Sequence, residues 1–154
     1  MTYDLAIIGA GSAAFSSAIR ARQKHRDVVM IERAEIGGTC VNVGCIPSKA
    51  LLAAAEVRHR AEVRRFPGID TTAAEVQMAA LIGSKDAIVR DLRGDKYLNL
   101  ARDYGWEIVR GTARFARGPI LEVDARTIDA KHYLIATGSA PWIPPIEGLA
   151  HVPI

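Results

Sequence analysis

Cysteine is scarce in this chain of 154 residues, with two copies, and aromatic residues make up only 6% of it. Two cysteines without a secretion signal make a poor structural staple, and a metal site would want four ligands at tighter spacing. The N-terminus, Met1-Thr2-Tyr3-Asp4, has no basic lead-in, and Leu5-Ala6-Ile7-Ile8 is too short for a signal-peptide core. A cytoplasmic location is therefore expected. No apolar run approaches the roughly 18 residues of a membrane helix, so no membrane span is expected. An excess of one charge is lacking too: 20 Lys and Arg face 17 Asp and Glu, a net +3 spread along the chain. The densest basic cluster, Arg58-His59-Arg60 with Arg64-Arg65, is interrupted by Glu56 and Glu62. It reads as a solvated helix face, and no nucleic-acid partner is expected. What remains is the length of one domain, with 49% apolar and 24% charged residues, as in an ordinary globular protein. There is no internal repeat and no low-complexity segment.

Tyr3 to Ile8 reads as a short buried strand that runs into Gly9-Ala10-Gly11-Ser12-Ala13-Ala14. From Ser12 to about Lys24 small residues (Ala13, Ala14, Ser17, Ala18, Ala21) predict a helix pressed closely on a sheet, and Val28 to Glu32 reads as a second strand. This is a βαβ start. Beyond Gly37-Gly38 and the cysteine segment, Pro47-Ser48 predicts the opening turn of a helix through Leu51 to Ala55, ended by Phe66-Pro67-Gly68. A second helix is expected from about Thr72 to Tyr104, with Gly83 and Gly94 as weak points. Four short strands, 107–110, 114–115, 120–123 and 127–128, predict a small antiparallel meander. A buried strand, His132 to Thr137, then meets Gly138, and Pro141 to Pro145 resembles an interdomain connection. The expected fold is α/β, a Rossmann-like domain with a parallel sheet, a helical excursion and a small antiparallel meander.

In the glycine turn, Gly9 permits the bend, Gly11 lets backbone approach a pyrophosphate, and Ala14 allows close helix packing. The helix opening near Ser12 points unpaired N–H groups and a partial positive charge at phosphates. Glu32, 21 residues after Gly11 at the end of the second strand, is placed to accept hydrogen bonds from ribose hydroxyls. An acid there disfavours a 2′-phosphate, so the site suits FAD or NAD better than NADP. Between Cys40 and Cys45 stand four residues, enough for one helical turn to bring the sulfurs together, so a disulfide is feasible. Near a helix N-terminus the dipole lowers thiol pKa and prepares the pair for exchange.

The string Gly37-Gly38-Thr39-Cys40-Val41-Asn42-Val43-Gly44-Cys45-Ile46-Pro47-Ser48-Lys49 resembles the active-site signature of the class I pyridine nucleotide–disulfide oxidoreductases. The glycine turn, Glu32 and Ala136-Thr137-Gly138 match further motifs of that family, and the resemblance covers the whole chain. Within the family the chain is most similar to the mercuric reductases, through Gly11 to Phe15, Ile31-Glu32-Arg33, Gly111 to Phe115 and Pro144 to Leu149. Dihydrolipoamide dehydrogenases share Cys40 to Lys49 almost as well.

The resemblance implies that Cys45 is the flavin-proximal thiol and Cys40, the more exposed, the interchange thiol that meets the acceptor. Lys49 resembles the lysine that approaches flavin N5. FAD would lie on Gly9, Gly11, Ser12, Ala13 and Ala14 at the pyrophosphate, and on Glu32, Arg33 and Ala34 around the adenosine. Gly38 and Thr39 precede the pair, Ala113 would offer backbone to the adenine, and Thr137 and Gly138 form the second flavin motif. The implied donor is NADPH or NADH, and the implied acceptor Hg(II), held transiently by Cys40 and Cys45 as substrate, or a disulfide. A homodimer is implied as well. No second glycine motif, histidine–glutamate pair or C-terminal cysteine pair stands in the 154 residues. The expectation is an N-terminal segment of the FAD domain, without nicotinamide and interface domains and inactive alone. A lone flavin or thiol redox module is the alternative from another class.

Overall fold

The computed structural model describes residues 2–63 and 66–152. Arg64 and Arg65 of the basic cluster lie outside the described residues. Strand β1 (Thr2–Ile8) leads through the glycine turn into helix α1 (Ser12–Gln23), and β2 (Val28–Glu32) follows. The βαβ expectation holds, with β1 and β2 parallel and Ile7 opposite Met30. Strand alternation sorts the core onto two faces. Ile7 and Met30 point to the side where α1 lays Ala14, Phe15 and Ala18, all buried. Ala6, Val29 and Ile31 point to the other, where Leu121, Val123 and Ile128 cover them. Alanines on α1 are what let the helix sit close to the sheet.

The cysteine segment is two helices where one was expected, α2 (Gly38–Asn42) and α3 (Cys45–Glu62). Helix α3 opens at Cys45, ahead of the expected Pro47-Ser48. Pro47 is then the third helical residue, where a missing N–H costs nothing because the first turn's N–H groups have no intrahelical acceptor. By length and composition Gly38–Glu62 could cross a membrane, contrary to the sequence expectation, but its path is broken at Gly44 (φ −113°, ψ −115°). The helix expected from Thr72 begins at Met78: α4 (Met78–Arg93) passes into a π-helical turn, Gly94–Leu98, and then α5 (Asn99–Tyr104). Gly83 does not interrupt it. Gly105, at φ 72°, ends it in the left-handed conformation that glycine adopts without strain.

Two strand expectations need correction. Strand β3 (Glu107–Arg110) is no part of a meander; it lies parallel to β2, with Ile31 opposite Val109. Trp106, buried just before it, holds α5 and β3 to the α1 core, its ring edge-on to Phe15 at 5.5 Å. The helical excursion is thus the crossover of a second parallel pair. The strands expected at Thr127-Ile128 and at His132 onward are one strand, β6 (Arg126–Ile135). Its first half pairs antiparallel with β5 (Leu121–Val123), which pairs with β4 (Ala113–Phe115), and its length from Asp129 onward pairs parallel with β1. One sheet of order β3-β2-β1-β6-β5-β4 results.

Candidate dinucleotide and dithiol site

At the C-terminal ends of β1, β2 and β6 two cavities of about 320 and 310 Å³ adjoin, sharing Gly9, Glu32 and Thr137 in their walls. Gly9 sits at φ 113°, and a Cβ there would lie 2.7 Å from the Ala136 carbonyl carbon, so no other residue fits the turn. Gly11 caps α1 without any side-chain bond to the helix N–H groups, and the first turn holds no acid. Gly11, Ser12 and Ala13 line the smaller cavity, whereas Ala14 is buried against the sheet. That helix end is open, electropositive and aimed into the cavity, which is what an anionic pyrophosphate requires. Gly38 closes the far side, where a Cβ would stand 2.8 Å from the Gly11 Cα.

Glu32 is half-buried, and each of its oxygens already accepts a backbone N–H: Oε2 from Ala10 at 2.8 Å and Oε1 from Ala34 at 2.8 Å. The carboxylate therefore braces the glycine turn and the loop after β2 before any ligand arrives, and each oxygen keeps a lone pair. Arg33 and Ala113 line the larger cavity with Gly111 and Thr112. Ala34 is exposed, and its carbonyl accepts a bond from Arg110. Thr39, Cys40, Thr137 and Gly138 line the smaller one.

Cys40 lies in α2 and Cys45 is the first residue of α3; both are free thiols. Their approach comes from a hinge between two helices, not from one helical turn. Gly44 makes the hinge possible, since a Cβ there would meet the Thr39 carbonyl oxygen at 2.9 Å and the Cys40 Cα at 3.3 Å. The neighbouring Cys45 thiol, as hydrogen-bond partner, is the first cause holding the Cys40 thiol above its ordinary pKa, followed by burial and the charge of Cys45. The Cys45 backbone N–H and the Lys49 ammonium pull the other way. The expected lowering by the helix dipole does not govern Cys40. Nor is Cys40 the more exposed cysteine: Cys40 is half-buried and Cys45 exposed. Lys49, one turn into α3, is exposed and outside both cavities.

Two residues that sequence reasoning passed over, Asn42 and Arg93, hold this segment. The Asn42 side chain donates to the carbonyls of Glu35, Ile36 and Gly38 at 3.3, 3.1 and 3.0 Å. Arg93, at the end of α4, reaches back to Asn42 Oδ1 at 2.8 Å and Glu35 Oε2 at 2.7 Å. Asn42 lay inside the signature string and could have been noticed there. Arg93 carried no local signal.

A strand, a glycine turn, an open helix end and a braced acid define a dinucleotide-binding α/β domain, here with Cys40 of the cysteine pair on its cavity wall. The family model for pyridine nucleotide-disulphide oxidoreductases matches residues 3–153, and the chain belongs to that family. It is 60% identical to a mercuric reductase of Streptomyces lividans over 97% of its length and 33% of that protein's. With a mercuric reductase of Lysinibacillus sphaericus it shares 48% over 96% and 27%, and with a dihydrolipoyl dehydrogenase of Thermus scotoductus 40% over 96% and 31%. The HOCl-induced flavoprotein disulfide reductase of Escherichia coli superposes with a TM-score of 0.77 at 28% identity, covering 96% of this chain and 31% of that one. The chain thus spans about a third of the length of these relatives. Its Rossmann-like FAD-binding fold and its place among flavoprotein disulfide reductases follow.

Proposed function

We propose that the chain is the FAD- and dithiol-bearing part of a reductase. It passes electrons from NADPH or NADH through FAD to Cys40 and Cys45, and on to Hg(II), which is released as Hg(0). The observation that carries this reading is Cys40 on the wall of the glycine-lined cavity, with the Cys45 thiol brought beside it across the Gly44 hinge. Mercury as acceptor is supported by the 60% and 48% identities to mercuric reductases, and dihydrolipoyl chemistry is the second reading because of the 40% relative. In the same proposal the nicotinamide and interface domains belong to the rest of a longer, cytoplasmic, homodimeric protein.

The residues fit FAD. The cradle at Gly9, Gly11, Ser12 and Ala13, with Ala14 seating the helix and Gly38 and Thr39 opposite, would hold the pyrophosphate. Glu32 would offer its spare lone pairs to the adenosine ribose beside Arg33 and Ala34, and Ala113, Thr137 and Gly138 would complete the walls. Bound FAD supplies two-electron transfer between the pyridine nucleotide and the disulfide. The cysteine pair takes up two electrons and two protons as its S–S bond opens to two thiols. The Cys45 thiol beside it raises the Cys40 pKa, and the charge of Lys49 opposes that shift. Soft thiolates suit Hg(II), a soft cation, as substrate ligands.

The test is NAD(P)H oxidation by the full-length protein with Hg(II) or with lipoamide as acceptor. Hg(II)-driven turnover is expected, falling about a hundredfold or more in Cys40→Ser and in Cys45→Ser. Turnover with lipoamide and none with Hg(II) would select the second reading. Undiminished turnover in both variants would sink the redox role of the pair.

A further inference from the structure

We infer that Arg93 is a positioning residue for the Cys40–Cys45 pair, acting through Asn42; the inference rests on the pair being a redox couple, as proposed above. Asn42 stands two residues after Cys40 at the end of α2. Its orientation is unambiguous, because the three carbonyls on its nitrogen can only accept and the guanidinium on its oxygen can only donate. Arg93 spreads its fork over Asn42 and Glu35, which flank Gly37 and Gly38, both at positive φ (106° and 63°). The guanidinium therefore clamps both ends of the turn that leads into the first cysteine.

The clamp has a rigid anchor. Arg93 is followed by the π-helical turn, whose Tyr97 packs edge-on against the buried Phe15 at 4.6 Å. Helix α4 also packs on α3 and on α2, so the helix bearing Cys45 and the helix bearing Cys40 are both referred to α4. The Arg93 Nε is buried and has no hydrogen-bond partner among the described residues, so the two terminal nitrogens of the fork carry the contact. Lysine, a single point of charge, could not bridge the two oxygens. Distance between the sulfurs depends on how α2 is held across the Gly44 hinge. Freeing α2 lowers the effective concentration of one thiol at the other and disfavours their disulfide.

The measurement is the equilibrium of the purified protein with glutathione buffers. In each cycle one oxidised glutathione takes two electrons, the Cys40–Cys45 disulfide forms, and both thiol protons end on two reduced glutathiones. Arg93→Met is expected to lower the constant for disulfide formation about three- to tenfold, as loss of a charge-assisted bond implies. Arg93→Lys should recover part of it. Ile128→Val, in the opposite core, should lower the melting temperature and leave the constant unchanged. An unchanged constant in Arg93→Met, or an equal shift in Ile128→Val, overturns the inference. If Arg93→Met does not fold, Glu35→Gln removes one arm of the clamp from the solvent side; a shift of about twofold is expected and no shift overturns. Absence of any intrachain disulfide in the wild type has a different signature and overturns the redox reading itself.

Discussion

Glycine is the residue whose placement separates site from scaffold. Gly9 and Gly83 are equally silent in composition, yet a Cβ at Gly9 collides with the Ala136 backbone while one at Gly83 meets nothing within 4 Å. Gly9→Ala adds a left-handed φ to that collision, and it is expected to cost about 2 kcal/mol or more and to abolish FAD retention. Gly83→Ala, inside α4, is expected to raise stability by about 0.5–1 kcal/mol and leave flavin binding unchanged. Chemical denaturation and flavin fluorescence read both, and a Gly9→Ala variant that still binds FAD tightly would refute the cradle. Gly9 was legible because the turn it makes is local, set by a strand ahead and a helix behind. Gly44 and Arg93 were not. The need for a bare Cα at Gly44 arises from the crossing of two helices, and Arg93 meets Asn42 from 51 residues away.

Elements were legible where their signal is periodic and obscure where it depends on a partner. The small-residue face of α1 and the apolar run of β2 predicted themselves. The β-branched pair Ile108-Val109 in Glu107–Arg110 says strand but not beside which neighbour, and β6 was split because its surroundings change halfway along. The sheet they build is tied across its far edge by one polar network. Tyr3 of β1 donates to Glu107 Oε2 of β3 at 2.5 Å, and Arg126 of β6 bridges both, at 2.5 Å to Glu107 Oε1 and 3.2 Å to the tyrosine oxygen. Arg126, ahead of the tyrosine bond, lowers the pKa of Glu107, while the bond to Glu107 leads in raising that of Tyr3. A lowered acid stabilises the fold above its ordinary pKa, and that contribution is lost as pH falls through the folded value. A raised tyrosine stabilises below its ordinary pKa and loses its contribution as pH climbs through the folded one. The network is therefore expected to contribute fully between about pH 5 and 10 and to fade on either side. Both groups are partly exposed, so the effect is below about 1 kcal/mol. Arg126→Met should flatten the acid limb of a melting-temperature profile between pH 7 and 3, and an unchanged limb would show that the network is incidental.

Across the whole molecule the two cores are not two domains, because β1 and β2 give alternate residues to each. Ile7 is buried on the α1 side and Ile128 on the meander side, both essentially without exposure. Truncating either to alanine is expected to cost about 2–5 kcal/mol, and each variant should still unfold in one transition with Trp106 fluorescence and circular dichroism coincident. The ligand cavity sharpens the test, since its larger lobe takes Gly9 from the end of β1 and Ala113 from the meander strand β4. A ligand held there requires both faces to be folded at once. FAD at a hundred times its dissociation constant should therefore stabilise Ile7→Ala and Ile128→Ala by the same amount, about 2.7 kcal/mol in each. Rescue of Ile7→Ala without rescue of Ile128→Ala would mean that the βαβ unit binds the dinucleotide alone, with the meander as an appendage. The parallel pairing of β6 with β1 from Thr2 to Ile8 argues against that: the strand that closes the meander is also the strand that places Thr137 on the cavity wall.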